Sequence, residues 1–268
     1  MSEGAPEQEL RMSFWSHLTE LRKRIINSVI AIGLGFIVCF NYSEEILGLL
    51  LLPLNSTMTF HPSFPFLEFV QNKTTQDLYF TTLIEPIMSH LKIGFIAGIM
   101  LTIPFILYQV WKFISPGLMP RERKYAGQFV FFATLFFAVG VLFCFFLLLP
   151  FAVQFLITYK TEHLKPIIKL ADYIDFTLKF MLAAGAVFEL PLIMIVLGRI
   201  GIIKTEALTK FRKYAFLISF IIGGIITPTP DVFNMTLMSL PIYFLYEFGI
   251  LGVRILGRKP AASDATTP

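Results

Sequence analysis

The sequence predicts an all-α fold: a polytopic integral membrane protein with six transmembrane helices, both termini cytoplasmic, and short fifth and sixth spans. Three observations lead there. The 268 residues are 56% hydrophobic and only 15% charged, with mean hydropathy +0.72, whereas a water-soluble domain carries about a quarter charged residues. The apolar residues fall in blocks that approach or exceed the ~20 helical residues needed to cross a ~30 Å hydrocarbon layer. The lysines and arginines collect in the stretches between those blocks, on one side of the implied membrane. The net charge of +4 therefore reflects topology, and no nucleic-acid partner is expected.

The spans follow in order. The first runs from about Ile25 to Tyr42 and the second from about Ile87 to Ile114. The third runs from Tyr125 to Ile157, with Pro150 near its far end, and the fourth from about Ile174 to Leu197. The fifth, Tyr214 to Thr227, covers only ~21 Å at ~1.5 Å per residue, and the tight turn Pro228-Thr229-Pro230-Asp231 joins it to the sixth, Val232 to Val253. So short a corner is expected to thin the bilayer around it. The apolar run Ile46 to Leu54 is too short to span, and it is expected either to lie in the interface or to pack as a short helix within the outer segment, about Ser43 to Ile84. No soluble domain is expected. Residues 1–258 form one transmembrane domain with its N-terminal amphipathic helix, and 259–268 form a polar, disordered tail. The first apolar block follows a long charged lead without a small-residue cleavage site, so no secretory signal peptide is expected.

Six spans place the N-terminus, the second and fourth connections and the C-terminal tail on one side. Those segments carry 16 of the 22 basic residues, from Arg11 to Lys259. The opposite side and the span ends keep Lys73, Lys92, Lys160, Lys165, Lys169 and Lys179, of which Lys92 and Lys179 are expected to snorkel outward. The basic side is then cytoplasmic.

Several residues merit a chemical reading. In Ser13 to Arg24, the positions Phe14, Leu18, Leu21 and Ile25 recur at helical spacing, Ser13 suits a cap, and Glu20 and Arg24 stand four apart. The stretch is either an interfacial anchor or a surface where Glu20 meets an external cation. In the connection after the second span, Pro116 and Gly117 stop one helix and Glu122 opens the next among three bases. Glu122 is either locally paired or a ligand for a guanidinium, which a carboxylate binds bidentately. Glu189 lies near the middle of the fourth span, before Pro191. A carboxyl there costs about 2.5–3.5 kcal/mol on insertion scales; it serves either a function or the local proline kink. Glu247 sits within reach of a loop arginine. The Gly94/Gly98 pair matches GxxxG, a pattern frequent enough by chance to carry little.

Cys39 and Cys144 lie inside apolar blocks without metal-ligand spacing and read as buried thiols. The sequence contains no GxxxxGK[ST], HExxH or GxSxG motif, so no ATPase, zinc or serine-hydrolase chemistry is expected, and no cofactor. A carrier coupled to protons through Glu189 would need polar lining on several spans, and the sequence offers mainly that one acid.

Four motifs together resemble one family. They are His17-Leu18-x-Glu20-Leu21-Arg22-x-Arg24, then Pro104-x-x-x-Tyr108-Gln109-x-Trp111-x-Phe113-Ile114-x-Pro116-x-Leu118-x-x-x-Glu122, then Phe188-Glu189-x-Pro191, and Thr227-Pro228-x-Pro230-Asp231-x-Phe233. In this order, across about Ser16 to Arg254, they resemble the TatC family, the multispanning core of twin-arginine protein translocation. The resemblance implies a receptor, not an enzyme, in the bacterial cytoplasmic (inner) membrane. It would bind signal peptides with consecutive arginines and assemble with single-span TatA-type and TatB-type partners in a multimeric complex. The assembly would export folded cargo using the proton-motive force. It implies Glu20, Arg22, Phe113 and Glu122 as the signal-peptide site, with Pro104, Gln109 and Trp111 shaping it. Pro53, Glu189 and Asp231 match other sensitive positions. Where the family usually has Gln for partner docking this chain has Met235, which makes the neighbouring Asn234 the candidate substitute.

Overall fold

A lipid surround leaves backbone N–H and C=O groups no partner outside their own segment, so the apolar blocks can only be helices. The structure, a computed structural model, describes residues 14–60, 67–71, 78–115, 126–158, 167–227 and 231–257. The expected tail, the Ser13 cap, the Pro116-Gly117 stop, Glu122 and the Pro228–Pro230 turn lie outside these residues.

Helix α1 (Phe14–Asn41) carries the amphipathic start and the first span as one continuous helix. The short apolar run forms α2 (Ser43–Leu50) and α3 (Leu52–Asn55), followed by an antiparallel pair β1 (Ser56–Phe60) and β2 (Leu67–Gln71). A two-residue parallel bridge joins β3 (Leu78–Tyr79) to β4 (Ile168–Lys169). The second span is α4 (Glu85–Ile114). The third begins as α5 (Ala126–Phe143), widens into a π-helical turn over Cys144–Leu148 and resumes as α6 (Leu149–Thr158). Pro150 has no N–H to give to the preceding turn and its ring crowds it, and the wider turn relieves both problems. The fourth span is α7 (Leu170–Phe188) and α8 (Leu190–Ile200), jointed at Glu189. Helices α9 (Thr205–Ile226) and α10 (Val232–Leu256) complete the chain.

Among the described residues, five stretches are long and apolar enough to cross a membrane: His17–Asn41, Glu85–Ile114, Gly127–Thr158, Leu170–Ile200 and Val232–Leu256. Helix α9 has 22 residues, but Glu206, Lys210, Arg212 and Lys213 occupy its first half, so its apolar length is short as expected. Helix α10, with 25 residues, extends past the expected end of the sixth span at Val253, so it is the helix's uncharged interval and not its length that can be short. It starts directly on Asp231 and no residue before Gly257 stops it.

The α1–α4 pair packs through glycine. A Cβ on Gly98 would lie 2.6 Å from the Phe36 nitrogen, one on Gly35 2.7 Å from the Gly98 oxygen, and one on Gly94 3.0 Å from the Phe40 Cα. The GxxxG pair that carries little weight as a pattern is the surface on which these backbones meet.

The basic ends of the helices gather at one end of the molecule. There Trp111 near the end of α4 packs with Phe129 of α5 and with Val196 and Ile200 of α8, and the Arg199 Nε of α8 donates to the Leu256 carbonyl at 3.2 Å. The opposite end is capped by α2 and α3, whose Leu50, Pro53 and Leu54 are buried. Leu50 and Leu54 join one core with Ile93, Leu148, Leu149, Ile174 and Leu178. Polar ties secure the cap. Tyr173 donates its hydroxyl to the Leu50 carbonyl at 2.6 Å. The buried Glu85 carboxylate accepts the Thr81 N–H at 2.8 Å, the Thr81 hydroxyl at 3.2 Å and the Ala171 N–H at 3.0 Å. Lys92 and Lys179 do not simply reach into water: Asp175 pairs with them at 2.7 and 3.6 Å.

Candidate functional site

At the basic end, the antiparallel course of α1 and α4 sets the start of one helix beside the end of the other. Two successive turns of α1 place His17, Glu20 and Arg24 on a common face. The side chains that meet them come from the last turns of α4, and the His17 and Phe113 rings stack with centroids 4.4 Å apart. One helical turn deeper, Arg24 donates from Nη2 to Glu20 Oε1 at 2.8 Å and from Nη1 to Gln109 Oε1 at 3.3 Å. The Glu20 and Arg24 side chains are only 16% and 20% exposed.

Trp111 lies on the other side of α4, buried against Phe129 at a centroid distance of 4.3 Å. It fixes α4 to α5 and α8, and so holds Gln109 and Phe113 toward α1. Pro104 lies inside α4 one to two turns before Gln109 and is exposed. Tyr108 and Lys112 add a cation–π contact at 4.5 Å. The result is a partly desolvated carboxylate beside an aromatic face at the basic end of the molecule. Such a surface suits a guanidinium, which takes carboxylate bonds along its edge and stacks through its plane.

The structure thus brings Glu20, Phe113, Gln109 and Trp111 into one region, with Pro104 below them. Arg22 is exposed and turned away from the Glu20 contact, where Arg24 stands instead. Glu122 lies outside the described residues. The sequence reading left out His17 and Arg24 as members of the site. For Arg24 the four-residue spacing to Glu20 was the available signal, while its second partner is 85 positions away.

The other candidates are dispersed. Pro53 is buried in the cap at the opposite end. Glu189 is 8% exposed at the α7–α8 joint, where its carbonyl accepts the Ile193 N–H at 2.9 Å, and its Oε1 is buried with no hydrogen-bond partner among the described residues. Asp231 caps α10: its carboxylate accepts the Asn234 N–H at 2.7 Å and the Asn234 side-chain amide at 3.0 Å. Asn234 is therefore buried and engaged with its own helix start. Glu247 pairs with Arg212 of α9 at 2.7 Å, as its position suggested.

Comparison with known proteins gives a consistent picture. The family model for the Sec-independent protein translocase protein (TatC) matches residues 16–241. The Sec-independent protein translocase protein TatC of Desulforapulum autotrophicum is 34% identical over 257 residues, covering 96% of this chain and 90% of that protein. That of Carboxydothermus hydrogenoformans is 37% identical, covering 94% and 97%. A crystal structure of the twin arginine translocase receptor TatC superposes with a TM-score of 0.75 at 34% identity, over 90% of this chain and all of that one.

Proposed function

This chain belongs to the TatC family of Sec-independent protein translocase proteins, and from that premise we propose that it is the signal-peptide receptor and core subunit of a twin-arginine translocase. Its ligand is the consecutive arginine pair of an export signal. Glu20 and Glu122 are the carboxylates for the two guanidinium groups, and Phe113 with His17 is the aromatic wall beside them. Pro104, Gln109 and Trp111 hold the end of α4 in register, and Arg22 contributes to the basic surround. The single observation that carries this reading is the partly buried Glu20 carboxylate held at the α1–α4 junction beside a stacked His17–Phe113 pair.

The basic end faces the cytoplasm of a bacterial inner membrane, in keeping with the bias of lysine and arginine to that end. Both termini are then cytoplasmic, in one six-helix transmembrane domain, and the signal is read on the side where folded cargo waits. TatA-type and TatB-type single-span proteins complete the assembly, and the proton-motive force drives transport; the chain itself has no catalytic role. Asn234 supports partner docking indirectly, because its amide is committed to the Asp231 cap and fixes the start of α10. Glu189, at the α7–α8 joint, and Pro53, in the cap at the opposite end, lie away from the signal site.

The test is site-specific photocrosslinking from positions beside Glu20 and Phe113 to a peptide carrying an Arg-Arg signal, in membranes. A crosslink that disappears when Arg-Arg becomes Lys-Lys is expected; a crosslink indifferent to that change removes the receptor reading. Glu122→Ala is expected to abolish export of twin-arginine cargo while the protein remains inserted.

A further inference from the structure

A cavity of about 520 Å³ opens at the capped end, away from the signal site. Its floor is apolar, built from Leu54 of α3, Val153 and Leu156 of α6, and Phe176 of α7. Its rim is charged. Lys169 stands immediately before α7, and Asp172, Asp175 and Lys179 follow along one face of that helix. Asp175 is already taken by the Lys92 ammonium at 2.7 Å and holds Lys179 only loosely, at 3.6 Å, so the Lys179 side chain stays 72% exposed. Lys169 and Asp172 are exposed and have no ion-pair partner among the described residues. The rim therefore offers two ammonium groups and one carboxylate. The apolar stretches on either side end at Thr158 and begin at Leu170, which sets Lys169 and Asp172 at headgroup level and the floor about one turn deeper, at the level of acyl chains. Lys179 lies deeper still on α7, and its long side chain can reach back to the headgroups.

We propose that this cavity binds a phospholipid of the adjoining leaflet and that its rim selects an ethanolamine headgroup. An acyl chain gains little by exchanging other chains for an apolar wall, so the floor admits a lipid without choosing it. The choice falls to the rim. The lipid phosphate lies between the Lys169 and Lys179 ammonium groups, each a point charge suited to it. The lipid's own primary ammonium donates to the Asp172 carboxylate, so all three free charges of the rim are answered. A choline headgroup carries the same charges, but its quaternary nitrogen has no N–H to give to Asp172. A phosphatidylglycerol answers the lysines and then sets a net negative charge beside Asp172, with only neutral hydroxyls to offer it. Specificity is thus a difference at one carboxylate, attraction for one headgroup and an unmet or repelled partner for the others.

The probe is a phosphatidylethanolamine with a photoreactive diazirine in one acyl chain, mixed into nanodiscs that hold the full chain, with the labelled residues located by peptide mass spectrometry. Labelling concentrated around Val153, Leu156 and Phe176 is expected. Unlabelled phosphatidylethanolamine should compete about threefold better there than phosphatidylcholine or phosphatidylglycerol, the scale of one exposed charge pair. Labelling spread evenly over the spans removes the site. Equal competition by the three lipids, or better competition by phosphatidylglycerol, removes the headgroup assignment. Asp172→Asn is expected to erase the advantage over phosphatidylcholine, and an advantage that survives it overturns the proposal. Asp172→Glu keeps the carboxylate and should keep the advantage. If both variants lose it alike, Asp172 acts through the local fold and not as the acceptor of the lipid ammonium, and the proposal fails. Lys169→Gln combined with Lys179→Gln is expected to weaken labelling at the floor; labelling equal to that of the unmodified chain shows that the phosphate is held elsewhere.

Discussion

Glu85 shows what a single buried carboxylate can hold together. It is 7% exposed and sits at the first residue of α4, where an acid favours the helix start. Its oxygens also accept the Ala171 N–H from the first turn of α7, 86 positions away, so one side chain ties two helix N-termini together at the capped end. Removing it leaves the Thr81 and Ala171 amides short of an acceptor. Glu85→Ala is expected to cost about 2–4 kcal/mol of stability, at roughly 1–3 kcal/mol per unpaired buried group. Glu85→Gln, which keeps one acceptor oxygen, should cost clearly less. Thermal unfolding of the three proteins in the same detergent checks the order; equal melting temperatures for Glu85→Ala and the unmodified chain would refute it. Neither this role nor the Lys92–Asp175 pair was legible in the sequence, because each partner is more than eighty positions distant and no local pattern announces it. Glu20 and Phe113 were legible only as parts of motifs; their meeting depends on how α1 crosses α4.

That crossing is the decisive feature at the scale of elements. Gly35, Gly94 and Gly98 let the α1 and α4 backbones touch, and the Glu20–Arg24–Gln109 network sits several turns along the same seam. A side chain at Gly98 would meet backbone atoms of Phe36 and Gly35, which cannot move aside as a rotamer can. Gly98→Val is therefore expected to push α1 off α4, to separate Arg24 from Gln109, and to weaken crosslinking of an Arg-Arg signal although no site residue has changed. Gly33→Val is the matched control, since a Cβ there meets nothing within 4 Å and valine is as apolar in both places. If the two variants crosslink alike, the seam does not position the site. The helices themselves were readable from hydropathy: the second span expected from about Ile87 to Ile114 is α4 (Glu85–Ile114). The small β1–β2 pair and the π turn at Cys144–Leu148 were not, since five-residue strands and a single displaced turn leave the apolar pattern almost unchanged.

For the whole molecule, the lengths of the helices bear on the membrane around it. Helix α4, with 30 residues, is long enough to cross a bilayer and leave both ends in the interface. The α9–α10 hairpin is different. On α9 the stretch from Lys213 to Thr227 covers ~21 Å, and on α10 the stretch from Asp231 to Glu247 covers ~24 Å, both below the ~30 Å of a hydrocarbon core. The two measures are not independent accidents, because Arg212 and Glu247 are joined at 2.7 Å and so draw one polar boundary across both helices. At the other end the Asp231 carboxylate draws the second by capping α10. Thus α10 is a full-length helix whose uncharged interval is short, which reconciles its 25 residues with the short corner that the sequence suggested. Lipid must thin beside this hairpin or charged groups must be dragged inward, and thinning costs only fractions of a kcal/mol per Å of mismatch. The expected outcome is that the protein is more stable in vesicles of shorter-chain phosphatidylcholine than in long-chain ones. A spin label replacing Asp231 should read as headgroup-level there, with access to a polar relaxation agent. Stability that rises steadily with chain length, or a label lying well out in water beyond a bilayer of normal thickness, would show that the hairpin leaves the membrane undisturbed.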